Sequence, residues 1–259
     1  MTEPTTRVPA VFVGHGSPLN AITESPYTRA WQSIGRTTPR PRAILMVSAH
    51  WFIRSTSVTA SAQPRTIHDF SGFPKELYAK QYPAPGDPAL AAEIAQVLAP
   101  VNVRLDASWG FDHGAWSVLI HAYPQADLPV VQLSIDSTKP PAHHFDLGRR
   151  LSPLRNRGVL LMASGNIVHN LRAFDPKATT PHDWAVRFDG KIRTALERRD
   201  TETLVHYDRD PDARLAAPDI EHFLPVLYIA GARRDDDDLR FLVDGIEAGA
   251  ISMRAFQVG

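Results

Sequence analysis

Residues 11–18 read VFVGHGSP: a short apolar run stops at a glycine, and a histidine follows between two glycines. A similar order recurs twice. The run AILMV (43–47) leads through Ser-Ala to His50, and VLLMA (159–163) leads through Ser-Gly-Asn-Ile-Val to His169. Runs that are apolar at consecutive positions are typical of strands buried on both faces, in a sheet covered by helices. The three runs therefore predict the centre of such a sheet, with a histidine beyond the end of each strand.

Around these runs, strand and helix patterns alternate along the chain. Strands are predicted at 10–13, 43–48, 57–60, 101–105, 130–135 and 159–163. Helices are predicted at 88–98, 115–123, 142–151, 183–199 and 223–231. The C-terminal segment FLVDGIEAGAISMRAFQV predicts a hairpin around residues 247–249. Together these elements predict an α/β fold, a single domain over residues 1–259 with a central mixed sheet flanked by helices.

Composition narrows the function classes. The 28 basic and 28 acidic residues balance, so we expect no nucleic-acid partner and no anionic membrane surface. The chain has no cysteine, which excludes disulfides, zinc ribbons and thiol catalysis. It also lacks a long apolar stretch and the pattern of a signal peptide, so we expect a cytoplasmic protein. The sequence leaves the oligomeric state open.

The 11 histidines are unevenly placed on this map. His15, His50 and His169 follow predicted strands, while His113 and His222 precede predicted helices. In open α/β sheets, ligands bind in the crevice beyond the carboxyl ends of the strands, so these rings are expected to converge there. Any single histidine is more often a hydrogen-bonded structural group than a ligand. Several of them among glycine, serine and asparagine predict a shared metal site, because imidazole is the commonest neutral metal ligand.

Polar residues that could orient these rings by hydrogen bonds are also present in the sequence. Ser48, Ser164 and Asn166 are candidates to hold the ring nitrogens. Four aromatic residues of the stretch 70–82 are candidates for the wall of a pocket that takes a planar substrate, namely Phe70, Phe73, Tyr78 and Tyr82.

Six motifs in order resemble one known family. They are VGHGSP, SAHW, HDFSGFPKELYAKQYPAPGDP, GFDHGAWSVL, SGNIVHNL and EHFLP, and they extend from about residue 11 to residue 231. They resemble the 4,5-DOPA extradiol dioxygenase family, class III ring-cleaving enzymes related to the catalytic subunit of protocatechuate 4,5-dioxygenase. The resemblance implies one α/β domain with one non-haem divalent metal.

The resemblance also implies roles for individual residues. His15, His50 and His222 match metal ligands. His169 matches the acid–base histidine, close enough to the ion to serve as a fourth ligand, and His113 matches a histidine that lines the substrate pocket. The wider class uses two histidines and a carboxylate for iron, whereas here the third position is a histidine. Fe(II) is the expected catalytic metal, because zinc has no redox chemistry, and Zn(II) is plausible as a bound ion.

We therefore hypothesise that the protein opens the ring of a DOPA-like catechol at an extradiol position, inserting both atoms of O₂. His169 would move the substrate proton, and His113 would stabilise developing negative charge. Two alternatives stay open: a zinc hydrolase that uses Asp112 or Glu221 as its base, and a non-catalytic homologue that binds a partner in the cleft. The sequence leaves the particular catechol and the regiochemistry of cleavage open.

Overall fold

The computed structural model describes residues 7–259, and its centre is an eight-stranded sheet. Its strands are β1 Ala10–Gly14, β2 Ala43–Ile53, β3 Thr56–Thr59, β4 Val103–Asp106, β5 Val130–Asp136, β6 Val159–Gly165, β7 Leu239–Val243 and β10 Ala255–Val258. They lie in the spatial order β4-β3-β5-β2-β6-β1-β10-β7. The central strands β5, β2, β6 and β1 are parallel, while β3–β5, β1–β10 and β10–β7 are antiparallel pairs. The predicted α/β fold with a mixed sheet is confirmed.

Nine α-helices accompany the sheet in the described part of the chain. They are α1 Pro26–Thr37, α2 Lys75–Tyr78, α3 Pro88–Val97, α4 His113–Ala122, α5 Pro141–Leu151, α6 Asp183–Arg198, α7 Thr201–Val205, α8 Ala213–Ala216 and α9 Leu224–Ala232. Several begin with a side-chain cap. Asp87 accepts the N–H of Leu90 at the start of α3, and Asp112 accepts the N–H of Ala115 at the start of α4. Each of the five predicted helices is present, with ends shifted by at most about two residues.

Two apolar cores lie on the two faces of the sheet. Successive residues of β2 alternate between them: Leu45 and Val47 pack with the core formed by α3, α5, α6 and α9, while Ile44 and Met46 pack with the core of α1 and α4. Burial on both faces explains why this strand is apolar at consecutive positions.

The C-terminal segment forms the predicted hairpin. Strand β7 pairs antiparallel with β10, and between them β8 Ile246–Glu247 pairs with β9 Ile251–Ser252. The tip uses left-handed backbone at Ala248 (φ 50°) and Gly249 (φ 77°). No helix among residues 7–259 has both the length and the apolar character needed to cross a bilayer.

The carboxyl ends of β2, β6 and β1 lie side by side. Gly14 pairs with Gly165, and Ser48 pairs with Ser164. Strand β2 continues past this edge to Ile53, so the prediction that His50 follows its strand was wrong: His50 lies on the part of β2 that extends beyond its pairing with β6. The histidines therefore surround the edge where the central strands end.

Candidate metal centre

Three imidazole rings from distant parts of the chain meet at this edge. The ring centroids of His15 and His50 are 5.0 Å apart, those of His15 and His222 are 5.3 Å apart, and those of His50 and His222 are 5.1 Å apart. One ring nitrogen of each lies within 4.8 Å of the others. The convergence predicted from the sequence is thus present in the fold.

His15 is held by the ends of the two central strands. Its backbone N–H donates to the carbonyl of Gly165 (3.1 Å), and its own carbonyl accepts from the amide of Asn20 (3.0 Å). Its Nδ1 lies 2.8 Å from the hydroxyl of Ser164, one of the residues predicted to hold a ring nitrogen. This hydrogen bond engages Nδ1 and leaves Nε2 to face the centre.

His222 belongs to the 3-10 helix Ile220–His222 that precedes α9. Its carbonyl accepts the backbone N–H of Asn166 (2.8 Å), which ties this short helix to the end of β6. A Cβ at Gly165 would lie only 2.3 Å from that same carbonyl oxygen. The glycine is therefore required for the close approach that brings His222 into the centre.

The three imidazoles fit a divalent metal ion. Burial is the first cause that lowers the pKa of His15 and of His222 well below the usual value, so both rings are neutral at neutral pH. Nε2 of His50 lies 3.1 Å from Nε2 of His15. Two nitrogens at that separation subtend about 95° at an ion bonded to both at about 2.1 Å, which suits ligands of one ion. Imidazole nitrogens are ligands that suit iron and zinc alike.

His169 lies beside this trio. Its ring stacks on the ring of His222 with centroids 3.5 Å apart and an interplanar angle of 5°. It is not part of the group of three whose nitrogens lie within 4.8 Å of one another. Burial, with contributions from His50 and His113, lowers the pKa of His169 to about 4. The ring is thus uncharged at neutral pH, which is the state in which an imidazole can accept a proton.

His113 is the first residue of α4, and its ring centroid lies 3.9 Å from that of His50 and 5.7 Å from that of His15. The pKa of His113 is lowered by burial and by His50, with Asp69 acting in the opposite direction. Burial also acts to lower the pKa of His50, but its contact with Asp69 and the nearby carboxylates outweigh this and raise it.

Asp69 is a residue of this centre that was not singled out from the sequence, and with His50 and His113 it forms a second group whose possible ligand atoms lie within 4.8 Å of one another. Its Oδ1 lies 3.0 Å from Nδ1 of His113, and its Oδ2 lies 3.2 Å from Nδ1 of His50. Burial acts to raise the pKa of this carboxyl, but the two imidazoles lower it strongly, so Asp69 is ionised. Its place in the motif HDFSGFP (68–74) was the only indication in the sequence, because this loop shows no helix or strand periodicity.

The predicted aromatic wall is present in part. Phe70 meets the ring of His113 edge-on at 5.6 Å and packs against Phe73 at 5.3 Å. Tyr78 lies 5.1 Å from Phe70 at the exposed side. Tyr82 is instead a core residue, because its ring is buried and its hydroxyl donates to the carbonyl of Tyr123 (3.0 Å).

Two of the three residues predicted to hold ring nitrogens have other partners. The hydroxyl of Ser48 donates to Asp112 (2.6 Å), and the amide of Asn166 donates to the carbonyl of Ser252 (2.8 Å). Asp112 is the N-cap of α4 and also accepts a short hydrogen bond from Gln132, so it is occupied in holding the helix that carries His113.

Known proteins match this chain over nearly its whole length. The family model described as catalytic LigB subunit of aromatic ring-opening dioxygenase matches residues 5–247. The chain belongs to this family. It is an extradiol ring-cleavage dioxygenase, which decides against the hydrolase and non-catalytic alternatives.

Individual relatives agree with the family. A protein of Escherichia coli K12 named 4,5-DOPA dioxygenase extradiol is 50% identical, over 98% of this chain and 96% of its own length. A Beta vulgaris protein of the same name is 36% identical, over 95% of this chain and 94% of its own. The crystal structure of an uncharacterised Escherichia coli K12 protein matches with a TM-score of 0.87 and 46% identity, covering 98% of this chain and 100% of that one. The resemblance inferred from six motifs is confirmed.

Proposed function

We propose that the protein opens the ring of a DOPA-like catechol at an extradiol position, using O₂ and one non-haem divalent metal. The observation that carries this proposal is the convergence of His15, His50 and His222, which leaves room for substrate because only three protein ligands are present in the group. Membership of the ring-opening family and the names of the relatives support the substrate class.

These three histidines would hold the metal, with Fe(II) expected for catalysis and Zn(II) as an ion that the same ligands would accept. Bound iron supplies the redox chemistry that the reaction of O₂ with a diol requires, which zinc lacks. The position of His169, stacked on His222 rather than grouped with the three nitrogens, favours the acid–base role over that of a fourth ligand.

In this scheme, His169 accepts a proton from a catechol hydroxyl and later returns it. Its neutral ring at neutral pH is competent for the first step, and its low pKa favours the second. His113, whose ring lies 3.9 Å from that of His50, contacts the substrate beside the metal ligands. Phe70 and Phe73, which pack next to His113, contact the flat face of the substrate ring. We include in the proposal that residues 1–259 form one catalytic domain that works in the cytoplasm.

An oxygen-electrode screen with Fe(II)-reconstituted protein tests this function. We expect O₂ uptake and a yellow semialdehyde product with vicinal diols, DOPA among them, and no uptake with the matched 1,3-diol isomers. Zinc-loaded protein is the metal control and should consume no O₂. Absence of uptake with every catechol at full iron occupancy, or turnover that continues without oxygen, would contradict the proposal.

A further inference from the structure

A cavity lies at the end of the sheet opposite to the three histidines. Leu239 of β7 pairs with Val258 of β10, and Val258 pairs with Ala10, the first residue of β1. The histidines surround the other end of β1, at Gly14. Leu239 and Val258 both line the cavity, together with side chains of α5, α6, α7 and α9. The cavity is therefore separate from the candidate metal centre, and the proposed mechanism does not use it.

The walls of this cavity are mostly apolar. Besides the two strand residues, they include Phe145, Leu196, Leu204, Ala230 and Phe256. The cavity has a volume of about 170 Å³. A cavity of about 150 Å³ with walls of leucine, isoleucine and phenylalanine takes up benzene. There is thus room here for one six-membered carbon ring.

One guanidinium borders this apolar space without an acidic partner. Nη1 of Arg233, the residue that follows α9, donates to the carbonyl of Leu196 (2.7 Å). Its Nε is buried without an acceptor, and within residues 7–259 no carboxylate forms an ion pair with it. Burial and the neighbouring Arg199 lower the pKa of Arg233, with Asp237 and Asp238 acting in the opposite direction. A partly buried positive charge that is not fully compensated favours an anion beside it.

The other charged groups near the cavity are occupied or directed to solvent. Arg199 also lines the cavity, but its guanidinium donates to three backbone carbonyls of the segment 234–237. The carboxylate of Asp237 pairs with Arg155, and both side chains are fully buried. Asp235 lies at the rim, 3.8 Å from Arg199, with a fully exposed side chain. The free hydrogen-bonding capacity at this cavity is therefore that of the single guanidinium described above.

We propose that this cavity binds a small carboxylic acid with a flat apolar body, of the size of benzoate. The ring would fill the apolar space, and the carboxylate would accept hydrogen bonds from Arg233. Guanidinium–carboxylate pairs are among the stronger hydrogen-bonded pairs in proteins, and burial of the ring against leucine and phenylalanine adds the hydrophobic contribution.

Calorimetric titration of the zinc-loaded, full-length chain tests this site with three probes. They are benzoate, benzyl alcohol, which has the ring without the charge, and acetate, which has the charge without the ring. We expect benzoate to bind and the other two to bind at least about tenfold more weakly, because each lacks one of the two contacts. Equal affinity for benzoate and benzyl alcohol, or no binding of benzoate, would overturn the proposal.

Two variants and a control assign the binding to the cavity. Arg233→Gln should weaken benzoate binding about 10–100-fold and leave benzyl alcohol unaffected. Ala230→Leu narrows the cavity and keeps the guanidinium, and it should weaken both probes. Arg234→Gln is the matched control, because it makes the same change of charge at an exposed neighbour that does not line the cavity. It should bind benzoate like the wild type, and zinc affinity should be unchanged in all three variants.

Amide ¹H–¹⁵N shifts of the wild-type protein locate the probe without any substitution. We expect benzoate to shift the amides of residues 230–233 and 239–240 most. Shifts confined to residues 164–169 and 220–222 would place benzoate at the metal centre and overturn the proposal. So would benzoate affinity in Arg233→Gln equal to that of the wild type. None of these readouts depends on catechol cleavage, so the proposal stands or falls separately from the proposed function.

Discussion

Replacing Gly165 with alanine should displace His222 without touching any imidazole. A Cβ at this position would lie 2.3 Å from the carbonyl oxygen of His222 and 2.9 Å from Cγ of Pro225. Ordinary contact begins near 3.4 Å, so the 3-10 helix must move away from β6 by about 1 Å, since the end of a central strand has little freedom to yield. Overpacking of this kind costs about 1–3 kcal/mol in the free energy of unfolding.

The same displacement should weaken metal binding, because one of the three ligands moves out of position. We expect Gly165→Ala to lower zinc affinity about tenfold or more, measured by chelator competition, and to lower the urea midpoint of the metal-free protein. Gly190→Ala is the matched control. Gly190 lies on helix α6, and a Cβ added to it would meet no neighbouring atom within 4 Å. The substitution should therefore leave zinc affinity unchanged and stabilise the protein by about 0.5–1 kcal/mol. Wild-type zinc affinity and stability in Gly165→Ala would refute the reasoning.

Three further variants test separate parts of the account. His169→Ala should lower turnover about 10²–10⁴-fold with iron content unchanged, and unchanged turnover would remove the ring from the scheme. Ser164→Ala removes the hydroxyl on Nδ1 of His15 and should lower zinc affinity about 10–100-fold; equal affinity would show that this hydrogen bond does not orient the ring. Burial lowers the pKa of His144 to about 4, against about 6.5 in the unfolded chain. Its contribution to the free energy of unfolding is therefore complete above pH 6.5, and about 3 kcal/mol is lost as the pH falls from 6.5 through 4. His144→Phe, which also leaves the Tyr228 hydroxyl without its 2.9 Å partner, should flatten that part of the pH–stability curve in urea unfolding; an unchanged slope would contradict the assignment.

The central strands and the convergence of the histidines could be predicted from the sequence, whereas the residues that surround the histidines could not. Consecutive apolar residues identify β1, β2 and β6, because burial on both faces leaves a pattern that can be read within the few residues of each strand. Helix α1 was not predicted, since its large buried side chains are only Trp31 and Ile34 and its remaining surface is polar. The contacts of Asp69 with His50 and His113 could not be predicted, because they depend on hydrogen bonds that join the loop of Asp69 to the start of α4.

Strand length was a second limit. The predicted strand ends at Ser48, yet β2 continues to Ile53 with a shift in register against β5 between Val47 and Phe52. The pairing that supports this extension comes from β5, 80 residues or so away along the chain. Convergence of the rings was nevertheless predictable, because carboxyl ends of adjacent parallel strands share one edge of the sheet.

The most direct test of the account is the position of the metal in crystals loaded with Fe(II) or Zn(II), located by anomalous diffraction at the metal edge. We expect one ion at about 2.0–2.1 Å from a ring nitrogen of each of His15, His50 and His222, with Asp69 outside bonding distance. An ion bound between His50, Asp69 and His113, or rings of the first three residues directed away from a common ion, would contradict it.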